Sequence, residues 1–172
     1  QLVVAGSDST ASLIGALAHR IADDAELQQT LRDQPDLRPA FIEEVLRLDS
    51  PFQGHFRVLT RDATVGGIAM SAGTRLMLHW GAANRDRAVF ECPATLDPSR
   101  RELKKHLAFG YGIHRCIGAG LAQLEAAITL DILLKHIGDV RLAGGAQPRE
   151  KPSVFTRRLE SLPLEFEAQP HA

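Results

Sequence analysis

The ten residues Phe109-Gly110-Tyr111-Gly112-Ile113-His114-Arg115-Cys116-Ile117-Gly118 decide how the rest of the chain reads. Three glycines, a histidine and a cysteine are packed together, and a long apolar helical pattern follows directly. Glycines let a loop turn tightly and press bare backbone against something flat. The cysteine stands at the threshold of the next helix, where unpaired N–H groups and the positive end of the helix dipole favour a thiolate. A thiolate on a glycine-lined loop is what a haem iron takes as a proximal ligand. The plain alternative is a structural cysteine buried in a glycine-rich turn.

Outward from that loop the composition is ordinary. The chain has 172 residues, 44% hydrophobic and 24% charged, enough for one domain with a real core. Its 20 basic and 21 acidic residues give a formal charge of -1, which offers nothing to a nucleic acid. No apolar run approaches the roughly 20 residues that span a bilayer, and no secretory signal opens the chain. Cys92 and Cys116 fit neither a disulfide framework nor a metal knuckle, so a reducing cytoplasm is expected and Cys92 reads as an ordinary loop cysteine. Gln1 opens the chain inside an apolar run without an initiator Met, and this reads as a fragment or processed half of something longer.

N-terminally, Leu2 to Ile21 carries loosely helical apolar spacing, interrupted by Ala5-Gly6-Ser7-Asp8-Ser9-Thr10. That run is a poor helix former and should weaken or kink the helix. Either Ser7 or Asp8 caps a helix starting there, or a widened helix turns an acid and a hydroxyl toward a buried pocket. Asp24–Arg32 and Leu37–Leu48 read as amphipathic helices, the second with Pro39 in its first turn. Glu44 and Arg47 share a face of that second helix at i, i+3. Such a pair is commonly a solvated bridge, but Phe41, Val45 and Leu48 make partial burial plausible here. Short strands are expected at His55–Leu59, Ala63–Val65, Ile68–Met70 and Thr74–Leu78, punctuated by Gly66-Gly67 and Ser71-Ala72-Gly73. A helical turn near Trp80–Ala83 follows. Asn84–Lys105 then has no period, and a structureless segment that long usually has functional contacts. Ile117–Ile137 is the clearest helix, with Leu121, Leu124, Ala127, Ile128, Ile132 and Leu133 as its apolar stripe and Gly138 at the stop. The tail from Val140 reads as one or two hairpins.

The loop pattern F-G-x-G-x-H-x-C-x-G resembles the haem-binding signature of the cytochrome P450 family, and further stations align in order. Ala5-Gly6-Ser7-Asp8-Ser9-Thr10 resembles the family's distal-helix motif. Glu44-x-x-Arg47 resembles its E-x-x-R. Ala83-Asn84-Arg85-Asp86 and Asp97-Pro98-Ser99-Arg100 resemble the meander, and Leu159–Leu164 the closing hairpin. The resemblance implies a mainly α fold with small antiparallel β-sheets. It would be the C-terminal portion of the P450 fold, from the second half of the distal helix through the Cys loop, its following helix and the C-terminal hairpin. Residues 1–172 would then be the C-terminal part of a single domain whose N-terminal half is absent.

The resemblance also implies haem b (iron protoporphyrin IX), with Cys116 as the metal ligand and Phe109 packed under the thiolate side. His114 and Arg57 would hold propionates, and Gly6, Gly110 and Gly118 would complete the cofactor-binding set. Asp8, Ser9 and Thr10 would be the catalytic group, Asp8 relaying protons and Ser9 holding the oxygen-bound water. The implied function is a haem-thiolate monooxygenase inserting one atom of O2 into an apolar small molecule, with electrons from a ferredoxin-type partner. The alternative is a catalytically impaired or non-catalytic haem-binding fragment needing a complementary chain. A peroxide-using variant and a cofactor-free interaction module are weaker readings. Val3, Val4, Pro51–Phe56 and Val154-Phe155 are candidate substrate contacts, and Lys104, Lys105 and Arg115 candidate contacts for the electron donor. Two departures stand out. Serine replaces the usual threonine at Ser9 and lacks the methyl that fixes the rotamer. Thr95 stands where a basic residue commonly completes the Glu44/Arg47 network, leaving Arg85, Arg100 or backbone carbonyls to close it.

Overall fold

The computed structural model describes residues 2–168, with the side chains of Leu2, Val4 and Ala168 outside the described set. The expectation that Val4 touches substrate therefore lies outside the described residues. Three helices carry the core: α1 (Leu2–Asp23), α3 (Arg38–Asp49) and α5 (Ala119–His136), with α2 (Ala25–Asp33) and the short α4 (Trp80–Ala83) between them in sequence. Leu13, Leu17 and Ile21 of α1 meet Phe41, Val45 and Leu46 of α3 and Ala126, Leu130 and Leu134 of α5, all buried. Apolar side chains at i, i+4 and i+8 on α1 and α5, and at i, i+4 and i+5 on α3, put one stripe of each helix into this interior.

α1 departs from expectation. The run Ala5–Thr10 neither starts the helix nor breaks it. Each serine back-bonds one turn down: Ser7 Oγ donates to the Val3 carbonyl at 2.7 Å, Ser9 Oγ to Ala5 at 2.9 Å, and Ser12 Oγ to Asp8 at 2.6 Å. Hydroxyls that settle on i−4 carbonyls leave the main-chain ladder in place, and the buried stripe beyond them holds the helix down.

α2 begins as its sequence dictates, with Asp24 accepting the Leu27 amide at 2.9 Å as N-cap. Buried Gln28 donates to the carbonyls of Ile21 and Val140 and accepts the Val140 amide, tying α1, α2 and the tail together.

The strands form four antiparallel pairs. β1 (His55–Val58) pairs with β4 (Arg75–Leu78), and β2 (Ala63–Val65) with β3 (Ile68–Met70). Gly66 and Gly67, both at positive φ, make the two-residue turn between β2 and β3. In the tail β5 (Ile137–Leu142) pairs with β8 (Leu164–Ala168), and β6 (Arg149–Glu150) with β7 (Leu159–Ser161) nests between them in the chain.

α5 corrects two expectations. It stops at His136 and passes straight into β5, so Gly138 is a strand residue and not a helix stop. A Cβ there would stand 2.9 Å from the Glu167 carbonyl, and the close approach of β8 is what requires glycine. The apolar stripe also divides. Ala126, Leu130 and Leu134 are buried, whereas Leu121, Leu124, Ile128 and Ile132 are 50–56% exposed. The helix is apolar on two faces, and this chain covers only one.

Candidate functional site

The Cys loop is shaped by its glycines. Gly110 (φ 69°) and Gly112 (φ 73°) occupy the left-handed region, which side chains resist. The loop closes on itself where the Cys116 amide donates to the Phe109 carbonyl at 2.8 Å. Cys116 is exposed, two residues before the Gly118 that opens α5. A Cβ on Gly118 would lie 3.9 Å from the Cys116 sulfur, in ordinary contact with it. The rim is apolar and bare: Tyr111, Ile113 and Ile117 are at least four-fifths exposed.

Behind the loop stands a buried polar lattice. Glu44 and Arg47 are fully buried, so they are not a surface bridge. Arg47 Nε and Nη2 each reach a Glu44 oxygen at 2.7 Å, the bidentate fork of a strong pair. The remaining arginine donors go to main-chain carbonyls, Nη1 to Asn84 and Pro93 at 2.8 Å and Nη2 to Thr95 at 3.2 Å. Its guanidinium also lies 5.0 Å from the centre of the Phe90 ring. Glu44 takes two more donors, the Asp97 amide at 3.0 Å and Arg100 Nε at 3.3 Å. Arg100 thus supplies the cation that Thr95 cannot, and the backbone carbonyls share the work. The aperiodic 84–105 segment is the set of carbonyls that satisfies Arg47.

Two supports were not legible beforehand. Asn84, fully buried, accepts the Leu107 amide at 2.6 Å and donates to Ser50 Oγ at 2.8 Å, joining the loop's approach to the end of α3. His106 Nε2 pairs with Glu43 at 2.7 Å, and its ring lies 5.9 Å from that of Phe109. Gln123 of α5 also donates to Glu43. Burial pushes the Glu43 carboxyl up, but the bond and charge of His106, with the Gln123 bond and the Lys104 charge, together outweigh it and hold the group below the usual carboxylate range. Asn84 stands in the stretch that resembles the meander, but nothing in the sequence marks the part its side chain plays, or that of His106.

The other expected site residues lie on separate surfaces. On α1, Asp8 is exposed, Ser9 half-buried and Thr10 buried. Gly6 has nothing within 4 Å of where a Cβ would stand. Arg57 on β1 is exposed and donates to its neighbour's carbonyl, that of Phe56, at 2.8 Å. His114 is exposed, and Phe109 half-buried. No hydrogen bond or ion pair among the described residues joins Cys116, His114 and Arg57. Each of the three is exposed.

A family model described as Cytochrome P450 matches residues 2–152. The chain belongs to the cytochrome P450 family. It is 43% identical over 165 residues to Cytochrome P450 144 of Mycobacterium tuberculosis, covering 95% of this chain and 37% of that protein. It is 34% identical over 170 residues to the Steroid C26-monooxygenase of the same species, covering 98% of this chain and 45% of that one. Among solved structures, the Mycobacterium marinum cytochrome P450 CYP150A6 in its substrate-free form superposes at a TM-score of 0.95 with 34% identity, over 98% of this chain and 43% of that one. The chain therefore spans less than half the length of these relatives, with the mainly α, small-sheet architecture of a C-terminal portion of the P450 fold. Haem b is the cofactor of the family. The residues present fit it: an exposed sulfur on a loop left bare at Gly110, Gly112 and Gly118, an apolar rim for a flat macrocycle, and exposed donors at Arg57 and His114 for its carboxylates.

Proposed function

We propose that this chain is the haem-thiolate portion of a monooxygenase, residues 1–172 being the C-terminal part of one P450 domain. The observation that carries the reading is the exposed Cys116 on its glycine-shaped loop, backed by the fully buried Glu44/Arg47 pair and the Arg100 that joins it. Haem held by Cys116 as thiolate would supply oxygen activation. In the overall reaction one atom of O2 enters a C–H or C=C bond. The other leaves as water, using two protons and two electrons from a ferredoxin-type donor.

The chain's own residues take the remaining roles. Arg57 and His114 would bind the propionates as charge-assisted donors. Phe109, steadied by His106, would shield the sulfur from water. Ser9, whose hydroxyl is anchored on the Ala5 carbonyl, would hold a water, and Asp8 would pass protons inward, with Thr10 supporting that turn of α1 from its buried side. An apolar substrate is supported by the exposed pair Phe56 and Phe155, whose rings meet edge to face with centroids 5.5 Å apart. Lys104, Lys105 and Arg115 offer positive charge to an acidic electron donor, in a cytoplasmic setting. Oxygen activation needs water kept out. The exposed face of α5 and the bare turn of α1 at Gly6 support a requirement for the N-terminal half, in the same or a separate chain.

The test is the absorption spectrum of the reduced, carbon-monoxide-bound protein, for this chain with added haem, for the full-length protein, and for Cys116→His in each. A red-shifted thiolate-type band that disappears in Cys116→His is expected at least in the full-length protein. Absence of that band in a full-length protein that has taken up haem would overturn the reading.

A further inference from the structure

Within the tail, the basic side chains mostly find acids of the same tail. Arg141 pairs with Glu165 at 3.0 Å, Arg149 with Glu160 at 3.1 Å, and Arg157 with Glu150 at 3.1 Å, Arg157 also reaching Asp49 of α3 at 3.5 Å. Arg158 does not follow them. Its Nη1 crosses to α1 and donates to Asp8 Oδ1 at 2.9 Å, over a separation of 150 residues.

The backbone that presents Arg158 is fixed from two sides. Phe155 accepts the Gln53 amide at 2.7 Å, the Arg157 amide donates to Pro51 at 3.0 Å, and the Arg158 carbonyl accepts the Lys151 amide at 2.8 Å. Phe52 and Thr156 form a further bridge. The next side chain, Leu159, sits against α1 at Gly15, two turns beyond Asp8. Asp8 is equally constrained, because its own carbonyl accepts Ser12 Oγ inside an unbroken helix. The Asp8 end is thus set by a helix, and the Arg158 end by the backbone hydrogen bonds of the segment that leads into β7.

We propose that Arg158 is a positioning residue for Asp8: it fixes where the carboxylate points, and so whether Asp8 can serve the proton path beside Ser9. This rests on the reading of Asp8 as the relay acid. The pair is solvent-accessible, with 73% of the Asp8 side chain and 32% of Arg158 exposed. Pairs of that kind contribute little to stability, so the consequence of the contact is orientation. Arg158 lies three residues after Phe155, which makes the segment leading into β7 carry both an apolar candidate for substrate contact and the side chain that holds the acid. A carboxylate released from its partner samples several rotamers, and misplacement by about 1 Å in a transfer path costs up to about 10²-fold.

The experiment uses the full-length, haem-loaded protein and compares Asp8→Asn, Arg158→Gln and Arg158→Lys. The readout is the share of supplied electrons recovered as hydrogen peroxide and not as oxygenated product. Asp8→Asn should raise that share, Arg158→Gln should raise it by about threefold or more, and Arg158→Lys should restore most of the loss. If Asp8→Asn leaks peroxide while Arg158→Gln matches the parent, the positioning role is overturned and the relay reading stands. If Asp8→Asn matches the parent, the relay reading fails and takes this one with it. A crystal structure of the Arg158→Gln protein supplies a second readout independent of turnover. The Asp8 carboxylate should leave the position it holds in the parent, and an unmoved carboxylate would overturn the positioning role.

Discussion

The lattice around Arg47 and the surface around Cys116 are neighbours in sequence order and opposites in physics. In the lattice every charge is out of water and every donor has a named acceptor: Glu44, three carbonyls and an aromatic face for one guanidinium. On the surface two aliphatic side chains, Ile113 and Ile117, are almost wholly exposed. One region is satisfied within these 172 residues, and the other is open to solvent. A buried ion pair is tolerated only when its partners are all present, so the lattice must be self-contained. A cofactor cradle can wait for what it binds.

The hardest way to break that contrast is Arg47→Ala. It strands the Glu44 carboxylate with only Arg100 and the Asp97 amide, and deprives Asn84, Pro93 and Thr95 of a donor. Removing one partner of a buried pair costs about 3–5 kcal/mol, a large part of the roughly 5–15 kcal/mol that holds a domain together. Chemical unfolding should show the loss, with Arg47→Lys only partly better because an ammonium cannot reproduce the fork. A loss below about 1 kcal/mol would mean the lattice is not what holds the 84–105 segment.

A middle-sized effect lies where the two regions meet, at Glu43. Because His106 holds its carboxyl below the usual range, the unfolded chain takes up the proton first as the solution is acidified. The stabilisation is therefore complete above the unfolded group's range and disappears as the pH falls through the folded one. Glu43→Gln should be less stable than the parent by about 1 kcal/mol near neutrality, and the gap should close in acid. A gap that stays constant across the carboxylate range would show that the charge on Glu43 does not matter.

What could be read from sequence follows the same division. Periodicity announced α2, α3 and α5, and the glycine spacing announced the Cys loop, because both are local constraints that residues near in the chain impose on each other. The third partner of Glu44 was left open, since Arg85 and Arg100 sit in a stretch without period and only its folded path brings Arg100 to the carboxylate. Asn84 and His106 were missed for the same reason: single polar side chains that cap main-chain groups leave no pattern. The serine-rich turn of α1 misled, because propensity penalises hydroxyls that here back-bond without breaking the ladder. Gly138 misled because a glycine after a helix pattern fits either a stop or a close strand approach, and only the pairing of β5 with β8 separates the two.

The smallest effect belongs to the α5 face that this chain leaves uncovered, and it sharpens the contrast most. Leu124 is 56% exposed and stands one helical turn from Leu121 and Ile128. In this chain Leu124→Gln should shift stability by less than about 0.5 kcal/mol, as exposed substitutions do. If the stripe is an interior face of the longer protein, the same glutamine there buries an amide without a partner and costs about 1–3 kcal/mol. The measurement is the difference between two differences: parent against Leu124→Gln in denaturant, for this chain and for the full-length protein. A substitution with no effect in both would leave the stripe facing water, and the missing half would have to dock elsewhere. A cost that appears only at full length locates the interior seam on the exposed side of α5, opposite Ala126, Leu130 and Leu134.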